Sequence, residues 1–198
     1  MAEWKLFDGD VPHVSTPEFH ADRDRAPHLE QPAHRPRLLE AAKLVEQARS
    51  DAEAFSVSDL GCGDGGLLSL LQETPAITCW GYDFQPSNVA GWVERDVVAE
   101  QADVFGADRD KVLFGDAAVT TEVLEHLADP HGAVRWIGEH SAWIVASSPW
   151  AERPGAHDEC HAWAWDTDGY RALVEQGGFE VVRHGVVGAF QLILGRRS

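Results

Sequence analysis

Val57-Ser-Asp-Leu-Gly-Cys-Gly-Asp-Gly-Gly66 carries a short apolar run into an acid, Asp59, and then into glycines that lead straight to the leucines between residues 65 and 72. A strand, a glycine turn and a helix in immediate succession bring backbone close to a ligand. Gly61 and Gly63 can take φ > 0 there and present no Cβ. The pattern points to a nucleotide-like cofactor, with Asp59 as its first charged contact.

Outward from this turn, strands are expected at residues 55–60, 77–83, 97–102, 116–120, 142–147, 179–187 and 189–195, with helices between the first five. Leu38, Leu39, Ala42, Leu44 and Val45 recur at helical spacing, so a helix over 37–49 should precede the first strand. Alternating β and α elements imply an α/β fold, a doubly wound, seven-stranded, mostly parallel sheet. A tight link containing Gly188, with no helix, joins the last two segments, so they should form an antiparallel hairpin. Residues 1–36 mix Pro, His and charge and read as an irregular arm; 37–198 read as one domain.

Two cofactors fit the glycines. Gly61, Gly63 and Gly66 satisfy G-x-G-x-x-G, and Asp83 lies about 20 residues on, where a dinucleotide's ribose acid belongs. A pyrophosphate, however, is repelled by the nearby carboxylates of Asp59 and Asp64, which suit a sulfonium bearing an ammonium group. Asp59-Leu-Gly61-Cys-Gly63-Asp-Gly65 resembles the first motif of the class I S-adenosylmethionine-dependent methyltransferases, acid-x-Gly-x-Gly-x-Gly. The resemblance implies a Rossmann-like sheet with an antiparallel C-terminal strand and S-adenosylmethionine held at Asp59, Gly61 and Gly63. It implies Asp83 on the ribose hydroxyls, Phe84 beside the adenine, and Asp103 and Val104 at the adenine amino group and ring. Asp116 is a rival to Asp103.

The segment Thr120-Thr-Glu-Val-Leu-Glu-His-Leu-Ala-Asp-Pro130 follows the fourth strand. On a helix, Glu122, Glu125 and His126 at i, i+3 and i+4 share one face. The loop His157-Asp-Glu-Cys-His161 can add a further ligand. Carboxylates mixed with imidazole suit Mg²⁺, Mn²⁺ or Fe²⁺ better than a closed zinc site. Glu-x-x-Glu-His with a later His before an aromatic-x-Trp segment resembles the metal-dependent small-RNA 3′-terminal ribose 2′-O-methyltransferases. That implies metal binding at Glu122, Glu125, His126 and His161. The Glu-Val-Leu-Glu-His string is also similar to ubiquinone-biosynthesis O-methyltransferases, which act on a phenolic hydroxyl. Both imply methylation of oxygen; the candidate catalytic residues are His126, His161 and Glu122. Without a metal, His126 or His161 would be the base. The same groups can instead cap a helix or shape an acceptor pocket. Trp150, Trp163 and Trp165 can wall an acceptor or pack the core.

The net charge of −17, from 16 Lys+Arg and 33 Asp+Glu, repels polyanions and favours a small-molecule acceptor over RNA. If any segment meets nucleic acid it is the arm, with Arg23, Arg25, Arg35 and Arg37. A non-catalytic cofactor-binding or scaffold protein docking through that arm is a further reading, and an NAD-dependent oxidoreductase another. Cys62, Cys79 and Cys160 lack C-x-x-C spacing, which indicates reduced thiols rather than disulfides or a thiolate zinc site. The opening residues do not resemble a signal peptide and no apolar run nears the ~18 residues that span a bilayer, so a cytoplasmic protein with no membrane partner is expected.

Overall fold

The structure, a computed structural model, describes residues 2–7, 16–50 and 53–198. In chain order the elements are β1 (Glu3–Lys5), α1 (Pro17–His20), α2 (Arg35–Arg49), β2 (Phe55–Leu60), α3 (Gly66–Leu71), β3 (Ile77–Asp83), α4 (Val89–Arg95) and β4 (Ala99–Gln101). They continue with β5 (Ala117–Thr121), α5 (Pro130–His140), β6 (Trp143–Pro149), β7 (Trp163–Trp165), α6 (Thr167–Gln176), β8 (Phe179–Val187) and β9 (Phe190–Arg197).

Seven strands form one sheet in the order β4-β3-β2-β5-β6-β9-β8. Pairings from β4 to β6 are parallel, and β9 runs antiparallel to both β6 and β8. The expected α/β sheet and its antiparallel ending are therefore present. Gly188 makes the hairpin link at φ +61°. Period-two alternation divides the core between the two faces. Ala118, Ile144, Ala146 and Ile193 pack with Val134 and Ile137 of α5 and Leu173 and Val174 of α6. Ala117, Val119, Val145, Leu192 and Leu194 pack with Leu38, Leu44 and Val45 of α2 and Leu67 and Leu71 of α3.

Local chemistry sets the helix starts. Asp129 accepts from Gly132 N at 2.8 Å before α5, and Asp166 accepts from Gly169 N at 2.7 Å before α6. Such caps contribute about 1 kcal/mol each. The expected helix between the third and fourth strands of the sheet is absent; only a 3₁₀ turn, Arg109–Lys111, lies there. Asp108 Oδ2 accepts from Asp103 N at 2.9 Å and Asp103 Oδ2 from Ala107 N at 3.4 Å. Short acidic side chains satisfy the backbone locally and compete with a helix.

The first residues of the arm are ordered by pairing that sequence periodicity did not reveal. β1 forms a separate antiparallel pair with β7, Glu3 opposite Trp165. Glu3 Oε2 accepts from Trp165 Nε1 at 2.7 Å.

The chain steps from β2 to β3 and β4 on one side, then returns to β5 on the other. That reversal opens a crevice beyond the carboxyl ends of β2 and β5, the usual place for a ligand in an open parallel sheet. No helix among the described residues is long and apolar enough to cross a membrane.

Candidate active site

A cavity of about 600 Å³ occupies this crevice. Its floor is the loop after β2, where Gly61, Gly63 and Gly65 have φ of +90°, +53° and +81°. A Cβ on Gly61 would lie 2.4 Å from Val123 Cγ2, so the loop needs glycine there for space as well as for φ. Gly61 N and Cys62 N both donate to Tyr82 O, at 2.8 and 2.9 Å. Gly63 N donates to Asp83 Oδ2 at 2.9 Å. The Gly63 amide is thus engaged by a carboxylate, an arrangement that opposes a pyrophosphate.

Asp59, Asp83, Phe84, Asp103 and Val104 all line the cavity. Asp59 is 1% exposed, and its Oδ1 has no hydrogen-bond partner among the described residues. Burial, reinforced by the charge of Asp83, pushes its carboxyl up to about 7, while Arg37 pulls the other way. Asp83 Oδ1 accepts from Gln85 N at 2.8 Å and Asn88 Nδ2 at 3.0 Å. Burial raises its pKa and these bonds oppose the rise. Two other acids have structural partners. Asp64 is paired with Arg95 at 2.8 Å, so its charge is already compensated. Asp116 Oδ2 accepts from Ser56 N and Oγ at 2.8 and 2.6 Å, tying β5 to β2.

The arm closes the cavity from above. His20, Arg23, His28 and Arg37 line it, and His20 meets the Phe84 ring edge-on at 5.1 Å. Arg37, grouped by sequence with a nucleic-acid-facing arm, is 1% exposed and sits 5.1 Å from the Phe190 ring centroid. Its Nε and Nη1 have no partner among the described residues. Arg25 is paired with Glu94 at 2.6 Å. Of the four arginines, Arg37 is therefore withdrawn from the surface and Arg25 is neutralised by Glu94, while Arg23 and Arg35 are exposed. Arg37 was missed as a cavity residue because helical spacing marks its neighbour Leu38 as core but cannot say that an arginine beside it faces inward.

At the other end, the expected helical face across Glu122–His126 does not form. Glu122 has φ +57°, its N–H continues the sheet by donating to Ser147 O at 3.1 Å, and only a 3₁₀ turn, Leu124–His126, follows. Convergence arises differently: ligand atoms of Glu125, His126 and His161 all lie within 4.8 Å of one another. Glu122 lines the cavity outside this trio, with Oε1 accepting from Ser147 Oγ at 2.8 Å.

Burial raises the carboxyl of Glu122, and burial plus the charge of Glu122 raises that of Glu125 further. Both Glu125 oxygens are buried without a hydrogen bond among the described residues. His126 Nδ1 lies 3.0 Å from Cys160 O, and His161 Nδ1 lies 2.5 Å from Glu152 Oε2. Both imidazoles therefore spend Nδ1 on an acceptor, and His161 is left with Nε2 as the ligating nitrogen. Burial, with the neighbouring His161, lowers the His126 pKa to about 4, so this ring is neutral at physiological pH. Trp163 and Trp165 stack at 6.3 Å outside the cavity, with Trp165 fully buried, and Trp150 is exposed. None of the three lines the cavity.

Residues 32–184 match the family described as methyltransferase domain. The chain belongs to that family. Its fold and cofactor are those of the class I S-adenosylmethionine-dependent methyltransferases. The magnesium protoporphyrin IX methyltransferase of Synechocystis PCC 6803 with bound SAH is similar at a TM-score of 0.64 and 16% identity, over 84% of this chain and 85% of that one. The methyltransferase domain of bacterial CtHen1-C gives 0.63 at 19% identity, over 82% and 97%. The methyltransferase bound to the Trm112 activator from Haloferax volcanii gives 0.63 at 19%, over 81% and 90%. No curated protein sequence matches the chain.

Proposed function

We propose that this methyltransferase transfers the methyl group of S-adenosylmethionine to a hydroxyl of a small-molecule acceptor held beside Glu125, His126 and His161, with a divalent cation bound by that trio. The observation that carries the reading is the fully buried Glu125 carboxylate, without a hydrogen bond among the described residues, beside two histidines whose ligand atoms lie within 4.8 Å of it and of each other. A buried carboxylate left in this way is costly unless a cation or proton satisfies it.

The cofactor's chemical contribution is an electrophilic methyl group on a sulfonium. For its amino-acid end, the cavity offers opposite charges with unsatisfied atoms: Asp59 Oδ1 suits an ammonium, and Arg37 Nε and Nη1 suit a carboxylate. In this reading Asp83 accepts the ribose hydroxyls, Phe84 and Val104 wall the adenine, and Asp103 accepts from its amino group, all four lining the cavity. Mg²⁺ or Mn²⁺ at the trio would supply Lewis-acid polarisation of the acceptor hydroxyl. Glu122, at the cavity wall, then takes the hydroxyl proton. Without a cation, His126 or His161 serves as the base. Arg37 is buried and Arg25 ion-paired, which leaves Arg23 and Arg35 as the exposed arginines of the arm, and the net charge of −17 favours a small acceptor.

The test is methyl transfer to a panel of phenolic and aliphatic hydroxyl compounds and a 3′-hydroxyl oligoribonucleotide, with and without chelator. Full activity in chelator would sink the cation, and transfer to the oligonucleotide alone would sink the small acceptor.

A further inference from the structure

We propose that Glu152 is a positioning residue of the cation site: its carboxylate fixes His161 in the tautomer with the proton on Nδ1 and so keeps Nε2 for ligation. This rests on the cation-site reading above.

Glu152 lies on the loop between β6 and β7, nine residues before His161. A turn closed by Ala156 N donating to Arg153 O at 2.9 Å brings the chain back. Glu152 Oε2 is 2.5 Å from His161 Nδ1, with the two side chains 19% and 12% exposed. The other oxygen, Oε1, accepts from Asp158 N at 3.0 Å. An ionised carboxylate can only accept, so the proton of this bond belongs to Nδ1. Both Glu152 oxygens are held, which leaves the group little freedom to turn away.

The next links extend the same order to the second histidine. Asp158 Oδ1 accepts from Cys160 N at 2.9 Å, and Cys160 O lies 3.0 Å from His126 Nδ1. Glu152 thus holds His161 directly and, through Asp158 and Cys160, the acceptor for His126. Outer carboxylates of this kind set ring orientation and ligand basicity, and their loss lowers metal affinity about 10–100-fold.

The experiment uses the full chain in two states. In metal-free protein, ¹⁵N NMR of labelled histidines reads the His161 tautomer. Calorimetric titration with Mn²⁺ alone reads affinity. The wild type should carry the His161 proton on Nδ1. E152A should shift the proton towards Nε2 and weaken Mn²⁺ binding about 10–100-fold. E152Q, whose amide both accepts and donates, should fall between them in both readouts, and it serves alone if E152A does not fold. A residue that only braced the loop would leave the tautomer of a folded variant unmoved. Wild-type His161 protonated on Nε2, or a variant unchanged in tautomer and Mn²⁺ affinity, overturns the role of Glu152 alone. Failure of the wild type to bind Mn²⁺ overturns the cation-site reading and this inference with it.

Discussion

The amide of Gly63 donates to Asp83 Oδ2 at 2.9 Å, joining the loop after β2 to the carboxylate that ends β3. One side chain therefore both shapes the glycine loop and faces the cavity. Asp83→Ala removes both functions. A hydrogen bond to a charged group is worth about 1.5–3 kcal/mol, so S-adenosylhomocysteine should bind roughly tenfold to a hundredfold more weakly by calorimetry. Unchanged affinity would remove Asp83 from the cofactor site.

Arg37→Met separates the two ends of the cofactor. The variant should weaken S-adenosylhomocysteine by about tenfold or more, from loss of a charge-assisted contact, yet leave 5′-methylthioadenosine, which has no carboxylate, unaffected. The carboxyls of Asp59, Glu122 and Glu125 should rise further, because the Arg37 charge that lowers all three is gone. Equal losses for both ligands would place Arg37 elsewhere.

Asp59 makes cofactor affinity depend on pH. Its carboxyl in the ligand-free protein sits near pH 7, raised by burial and by Asp83. A cationic ammonium binds the ionised form, so binding releases a proton. Affinity should fall by up to about tenfold per pH unit below 7 and level off above it. Asp59→Asn should flatten this profile. Calorimetry in buffers of different ionisation enthalpy counts the released protons.

Cation binding should strengthen as pH rises, because the raised carboxyl of Glu125 must be ionised while His126, lowered to about 4, is already neutral. Glu125→Gln should abolish Mn²⁺ uptake, since it removes the one carboxylate of the trio. Retained Mn²⁺ binding in that variant would exclude Glu125 as a ligand.

Gly61→Ala tests the loop. The new methyl would meet Val123 at 2.4 Å in a backbone held at φ +90°. Overpacking and left-handed strain together should cost about 2–4 kcal/mol, read as a lowered urea midpoint. Val123→Ala in the same chain should restore part of it.

Some of this could be read from residues alone. Gly61 and Gly63 require backbone freedom wherever they sit, and short buried strands beside helical leucines admit few arrangements, so the parallel sheet and its antiparallel ending were legible. Glu125, His126 and His161 were legible as ligand types. The path joining them was not: period 3.6 was assumed through Glu122, but sheet pairing to Ser147 holds that residue at φ +57° and a 3₁₀ turn follows.

Sequence by itself determined the acid-and-glycine loop, the parallel sheet with its antiparallel ending, and the identity of the charged groups, because these rest on local geometry and side-chain chemistry. Only the tertiary structure decided that Arg37 is buried in the cavity, that Asp64 is paired with Arg95, that β1 zips onto β7, and that Glu152 meets His161. Each of these depends on which segments lie side by side once the sheet has formed, and the burial that moves the acids of the site arises only then.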